Sequence, residues 1–309
     1  MIKKISVIPN VCEGRDEEFI SHLTERLKTV SNLAVMDVSV DKTRNRTVFA
    51  FTGNKDAIFE GGMILYEEAS KHIDMRRHKG EYPRIGAVDV FPFVPLGGMT
   101  MEEAVKISVE FAQKVAQRFN VPVYLFGESA RFPLRKQVET IRAGQYEGLE
   151  EQLKDPRWKP DFGPDEFKPE FGATIIGSRY PLVSFKMHLN TTDIEITKRI
   201  CQSIQYSEGG LRFVTANAGV TNDESRHTQI AVSISNYTVT PIYKVVELAR
   251  LEARRYAVGI KEVEMIGLIP EIVFLESAMY YMNINNFSYD RLLEKSIQRL
   301  LGENKIFYA

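Results

Sequence analysis

At 309 residues, with a formal net charge of −1, the chain is long enough for one or two domains with a large core. The balanced charge, without a basic tail or block of like charge, gives no electrostatic case for a nucleic-acid partner and leaves acidic small molecules as candidate ligands. Cys12 and Cys201 lie far apart, and with five scattered histidines they form no metal-ligand spacing, so reduced cytoplasmic thiols and no metal are expected. The opening MIKKISVIPN lacks the apolar run and cleavage site of a signal peptide, and no segment reaches membrane-spanning length, so no membrane partner is expected.

Taken in chain order, residues 5–8 read as a short strand. A helix over 16–30 follows, with Phe19, Ile20, Leu23, Leu27 and Val30 on one face. Strands are expected over 33–40 and 46–52, joined by the polar connection 41–45 as in a hairpin. A second helix starts near Lys55, burying Ile58, Leu65 and Ala69, and leads into the run HKGEYPRIGAVDVFPFVP over 78–95. That run passes from a dense polar loop into an apolar strand at 88–94. His78, Lys79, Glu81, Tyr82 and Arg84 are interleaved with Gly80, Pro83 and Gly86, so polar groups ride on a tight backbone. The plainer reading is that Arg76, Arg77, His78 and Lys79 complement the carbonyl end of the preceding helix.

Thr100 and Glu103 form a capping-box pattern for a helix running to about Phe119, and a strand is expected over 121–126. From 127 to 172 the signals are mostly glycine, proline and charge. A connection of that length is usually functional or partly disordered.

The second half repeats the β-α-β-β-α-β order: a strand over 182–189, a helix over 193–203, strands over 211–220 and 227–235, a helix after Pro241 and a strand over 260–266. Thr192 with Glu195 suggests a capping box, and Thr240 with Pro241 a cap followed by a first helical residue. A final helix is expected after Pro270. The fold class is therefore α/β (α+β), built from two ferredoxin-like subdomains, residues 1–179 and 180–309.

In the strand over 182–189, Val183, Phe185, Met187 and Leu189 alternate with Ser184, Lys186 and His188. Over 227–235, Ile230, Val232 and Ile234 alternate with Gln229, Ala231, Ser233 and Ser235. These polar faces either line a ligand cleft between the halves or simply meet solvent. Asp161-Phe162-Gly163 matches a kinase tripeptide without the other kinase motifs, and residues 207–210 lack the lysine and spacing of a phosphate loop.

Several motifs in order carry a family resemblance: PNVCEGR at 9–15, NRTVFAFTG at 45–53, the 78–95 run, VPVYLFGESA at 121–130, IRAGQYEGL at 141–149 and WKPDFGP at 158–164. Together they resemble the folate-dependent formiminotransferases across nearly the whole chain. The resemblance implies two sheet-bearing subdomains enclosing folate, tetrahydrofolate as co-substrate, a glutamate-derived second substrate, and a homodimer. The reaction it implies moves a formimino group from N-formiminoglutamate to N5 of tetrahydrofolate, in one-carbon metabolism and histidine degradation; some relatives use the formyl analogue. The cyclodeaminase domain of larger relatives is not expected in a chain ending at Ala309.

Where the family usually has its acid–base histidine, this chain has Tyr82. Lys186, His188 and Ser233 stand where asparagines are usual, and Val11-Cys12 where Phe-Ser is usual. Proton exchange near neutral pH suits a histidine, whereas a free tyrosine titrates far higher and serves as a hydrogen-bond or proton donor. Tyr82, His78 and His188 are thus the catalytic candidates.

For binding, the motifs imply Asn10, Glu13, Asn45, Arg46 and Gln229, with Gly163, Pro164, Phe167, Phe171 and Gly172 in the segment corresponding to a folate-contacting loop. Phe167 and Phe171 either stack on a ligand ring or anchor the loop to the core. Lys79, Arg84, Arg46 and Lys186 are the candidate partners of substrate carboxylates. The alternative function is a noncatalytic folate- or metabolite-binding paralogue. An RNA-binding or scaffolding role ranks last, for want of an aromatic sheet motif and a basic surface.

Overall fold

The computed structural model describes residues 3–96, 98–221 and 226–296. The chain divides after Tyr180 into two compact units. Unit 1 begins with β1 (Lys4–Val7) and β2 (Asn10–Val11), which run one after the other between the same two neighbours, then α1 (Glu17–Lys28), β3 (Leu33–Asp41), β4 (Arg46–Gly53), α2 (Lys55–His72) and β5 (Val88–Leu96). These pair antiparallel in the order β5, β1 with β2, β4, β3. α3 (Met101–Phe119) and β6 (Val123–Gly127) follow, then the short helices α4 (Val138–Ile141) and α5 (Leu149–Lys154), and last β7 (Thr174–Ser178).

β7 was not apparent in the sequence. It inserts between β5 and β6, parallel to both, with Ile175 opposite Val90 on one side and Tyr124 on the other. A five-residue strand buried along its whole length has no apolar–polar alternation to betray it. α1 and α2 carry the apolar faces expected of them, α3 buries Ala104, Phe111, Ala112 and Val115, and the core between helices and sheet is rich in aromatics. Phe91 and Phe111 centroids lie 4.7 Å apart, and Tyr66 closes the cluster with its hydroxyl 2.7 Å from Thr174 Oγ1. Each such ring removed from water stabilises by roughly 1.5–3 kcal/mol.

The long connection after β6 is ordered and carries a smaller core of its own. Ile141, Leu149 and Leu153 pack with Ile85, Tyr124 and Ile175. Its clamp is an ion pair buried on both sides, Arg135 Nη1 to Asp161 Oδ2 at 2.9 Å. The rest of the Arg135 fork donates to the carbonyls of Arg157 and Lys159, and its plane faces Tyr124, Phe132 and Trp158. Asp161 also accepts from Leu125 N at 2.8 Å, which ties the connection to β6.

Unit 2 contains β8 (Val183–Leu189), α6 (Ile194–Ile204), β9 (Val214–Val220), β10 (Thr228–Ile234), α7 (Ile242–Arg254), β11 (Ile260–Ile266) and α8 (Glu271–Tyr281). Its antiparallel sheet runs β11-β8-β10-β9, the same order by chain position as β5, β1 with β2, β4 and β3 in unit 1. The alternation in β8 and β10 sends Val183, Phe185, Met187, Ile230 and Val232 into the core with α6 and α7.

Helix starts follow the sequence in part. Asp16 caps α1, and Thr100 with Glu103 forms the full capping box on α3. On α6 the cap is Asp193, one residue beyond the expected Thr192, because its carboxylate reaches the Glu195 and Ile196 amides. On α7 the cap position is Pro241, and the Thr240 hydroxyl donates instead to Arg212 O at 2.6 Å.

Candidate functional site

The start of β4 and the loop before β5 come together around Asn45. Its left-handed backbone (φ 49°) turns β3 into β4, a conformation that asparagine adopts more readily than most residues. The side chain accepts from Gly14 N at 2.9 Å and donates to Lys79 O at 3.2 Å, joining the first motif, the hairpin and the polar loop. Gly80 passes so close that a Cβ would lie 2.1 Å from Arg44 O. Only glycine permits that approach.

His78 is fixed at both ring nitrogens. Nε2 lies 2.9 Å from Asn45 O, which can only accept, so Nε2 carries the proton and Nδ1 receives Arg84 Nε at 3.4 Å. Burial and the adjacent Arg84 cation hold its pKa below the usual histidine value, against the pull of the Asn45 carbonyl. Arg84 is buried, and its fork closes on Glu147 through two 2.7 Å bonds. Arg84 and Glu147 line an open depression of about 660 Å³ with His78, Lys79, Gly80 and Tyr146.

Tyr82 sits beside this depression among guanidiniums. Arg46 Cζ is 4.0 Å from its ring centroid, Arg142 is at 5.1 Å and Arg44 at 5.7 Å. Arg142 Nη1 donates to the Tyr82 hydroxyl at 3.1 Å, and its Nη2 makes a short contact with the fully buried Asp89. Burial opposes the charge on Arg142, but Asp89 and Tyr82 outweigh it and its pKa is raised. The other Asp89 oxygen accepts from Ile85 N at 2.9 Å, so this carboxylate shapes the loop as it anchors the arginine. Two buried donors there, Arg46 Nε and Arg142 Nε, have no hydrogen-bond partner among the described residues.

The remaining expected residues distribute as follows. Asn10 sits in β2 opposite Val48 and Val90. Glu13 Oε1 accepts from the Arg15 and Asp16 amides at the start of α1. Cys12 is buried beneath the loop, and burial pushes its thiol pKa up. Lys79 is exposed on the rim. Gly163 (φ 83°) packs against Val121 O, with Pro164 next in chain, beside the start of β6. Gly172 (φ 79°) crosses Gly86 and closes on Ile85 O, directly behind the polar loop.

Phe171 is a core residue, stacked on Tyr66 with centroids 6.2 Å apart, and Phe167 packs on Tyr146 at 5.5 Å.

In unit 2, Lys186 and His188 share one acceptor, Glu264 Oε2, at 3.1 and 3.3 Å, and together they hold that carboxyl below its usual range. Gln229 faces His188 across the ladder, and Ser184 and Ser233 hydroxyls lie 3.0 Å apart.

Sequence reasoning missed Arg142, Asp89, Glu147 and Arg44. A signal existed for three of them: Arg142 and Glu147 lie inside the IRAGQYEGL motif, and Asp89 is a lone carboxylate within an apolar strand, where an ion needs a partner. Among the described residues no cluster of His, Cys, Asp or Glu is arranged to hold a metal ion, and no helix is long and apolar enough to cross a membrane.

Comparison with known proteins agrees with the motifs. The family model described as the formiminotransferase domain, N-terminal subdomain, matches residues 4–179, and the formiminotransferase domain model matches residues 185–306. The chain is 37% identical over 297 residues to glutamate formimidoyltransferase of Thermoplasma acidophilum, covering 96% of this chain and 97% of that one. It is 35% identical to the Streptococcus pyogenes serotype M1 protein of the same name, covering 98% and 100%. It is also 37% identical to formimidoyltransferase-cyclodeaminase of Dictyostelium discoideum, covering 97% of this chain and 57% of that protein.

Proposed function

We propose a glutamate formimidoyltransferase reaction for this chain, which belongs to the formiminotransferase family. The observation that carries this reading is similarity along nearly the full length of both this chain and two proteins bearing that name. The repeated strand order in the two units supports reading each as a ferredoxin-like subdomain, residues 1–179 and 180–309.

In this reaction N5 of tetrahydrofolate attacks the formimino carbon of N-formimidoylglutamate and a tetrahedral intermediate forms. The bond from that carbon to the glutamate nitrogen then breaks, N5 gives up its proton and the departing nitrogen gains one. Tyr82 is the group we assign to that donation. Its oxygen accepts from Arg142, which leaves its own proton directed away from the guanidinium. Arg46 over the ring and Arg142 at the hydroxyl counter the negative charge that develops on the oxygen as the proton leaves.

His78 has a different part. With Nε2 on Asn45 O and Nδ1 facing Arg84, it holds the hairpin and the polar loop in register and acts as a positioning residue. Asp89 does the same for Arg142.

The test is transfer from N-formimidoylglutamate to tetrahydrofolate by the purified chain, read by absorbance of the folate product, with the N-formyl donor in parallel. Turnover with either donor is expected. A folded protein that turns over neither overturns the reading and leaves a noncatalytic folate- or metabolite-binding protein.

A further inference from the structure

The four cations expected to meet substrate carboxylates are in different states. The Arg84 fork is filled by Glu147, Lys186 is paired with Glu264 at 3.1 Å, and Lys79 is exposed. Arg46 has a buried Nε without an acceptor.

The group around Tyr82 also holds more positive than negative charge. Arg142 is matched by Asp89, and Arg44 lies 3.5 Å from Asp41 Oδ2. Of the other carboxylates of the neighbouring segments, Glu13 accepts from two backbone amides with Oε1, and Glu81, the residue before Tyr82, is exposed. Among the described residues no carboxylate pairs with the guanidinium of Arg46, the closest to the Tyr82 ring, and beside it Arg142 Nε is a second buried donor without a partner. Buried donors left unmade are costly, and a carboxylate is the acceptor that guanidiniums take best.

We propose that Arg46, together with Arg142 and Tyr82, forms the subsite for the α-carboxylate of the glutamate-derived substrate. The inference rests on the transferase reading above, and covalent geometry links the two. The carboxyl carbon of an amino acid lies about 2.5 Å from its own nitrogen across two bonds. A substrate whose nitrogen receives a proton from Tyr82 therefore carries its α-carboxylate to the guanidiniums that flank that tyrosine. The subsite makes α-carboxylate recognition and proton donation one event, because Arg142 holds the hydroxyl on one side of its fork.

The probe is N-acetyl-L-glutamate, which has both carboxylates and no one-carbon group, compared with N-acetyl-4-aminobutyrate, which lacks only the α-carboxylate. Calorimetry on the full chain should show the first binding about 10- to 100-fold tighter, the value of one charge-assisted contact. Arg46→Gln should abolish that difference while tetrahydrofolate binding changes less than about twofold, well under one such contact. Arg46→Lys, which keeps the charge without the planar fork, should restore only part of it.

Equal binding of the two probes by the wild-type chain, or full discrimination retained by either variant, overturns the subsite. Equal wild-type binding overturns the subsite whatever the variants do, and where Arg46→Gln fails to fold, Arg46→Lys decides its location. The transferase reading is judged separately, by wild-type turnover: turnover without discrimination removes the subsite alone, and absent turnover removes the reading itself.

Discussion

Arg142 donates to the hydroxyl of Tyr82 across 3.1 Å. The phenol is therefore an acceptor on its buried side and a donor on the other, the orientation a proton-donating group needs. Tyr82→Phe keeps the ring under Arg46 and removes the hydroxyl, and with it the proton and the acceptor of Arg142 Nη1. We expect kcat to fall by about 10²- to 10⁴-fold, the usual worth of general acid–base catalysis, with KM changed much less. Steady-state kinetics would show this, and an unchanged kcat would remove Tyr82 from the chemistry.

His78 makes stability depend on pH. Its folded pKa is lowered, so between that value and the unfolded value of about 6.5 the unfolded chain binds more protons and stability rises with pH. Its contribution is fully present above about pH 6.5 and is lost as the pH falls toward the folded pKa. Urea denaturation of the wild type across that interval should show the slope. His78→Gln should flatten it, and a variant with the same slope would assign the effect elsewhere.

The approach of Gly80 to Arg44 O predicts a different kind of damage. Gly80→Ala puts a methyl group into backbone, so the hairpin and the loop must separate. The cost should be about 1–3 kcal/mol, as for other overpacked sites. Because Asn45 bridges the same two segments, kcat/KM should fall with stability. A variant with wild-type melting and kinetics would mean that the loop yields freely.

Asp161 tests the clamp on the long connection. Asp161→Ala leaves the Arg135 cation buried without its carboxylate, which costs about 3–5 kcal/mol at sites of this kind. Amide exchange over residues 127–172 should accelerate relative to α1 and α2. Uniform acceleration throughout unit 1 would show instead that the connection and the main sheet open together.

The expectations for β1, α1, β3, β4, α2 and β5 lay close to the observed elements because each is written locally. An apolar stripe of helical period marks α1, alternation marks β8 and β10, and Asp16 and Thr100 announce helix starts. Tyr82, His78, Lys79 and Arg84 were legible as a group because they crowd one short loop between glycines and prolines. Caps were less secure. Thr192 and Asp193 are both competent, and only the path of the backbone selects Asp193.

What the sequence by itself determined is the order of the main elements other than β7, the polar alternation of β8 and β10, the tight loop before β5 and the family to which the motifs point. The tertiary structure decided where β7 enters the sheet, that Phe171 belongs to the core, and which cations are already paired. Arg84 meets Glu147 across 63 positions and Arg142 meets Asp89 across 53. No local period records such pairings, because they arise only when distant segments pack and a buried charge takes the nearest partner of opposite sign. Arg46 looks like Arg84 in the chain and differs from it only after folding, which fills one fork and leaves a donor of the other unmet.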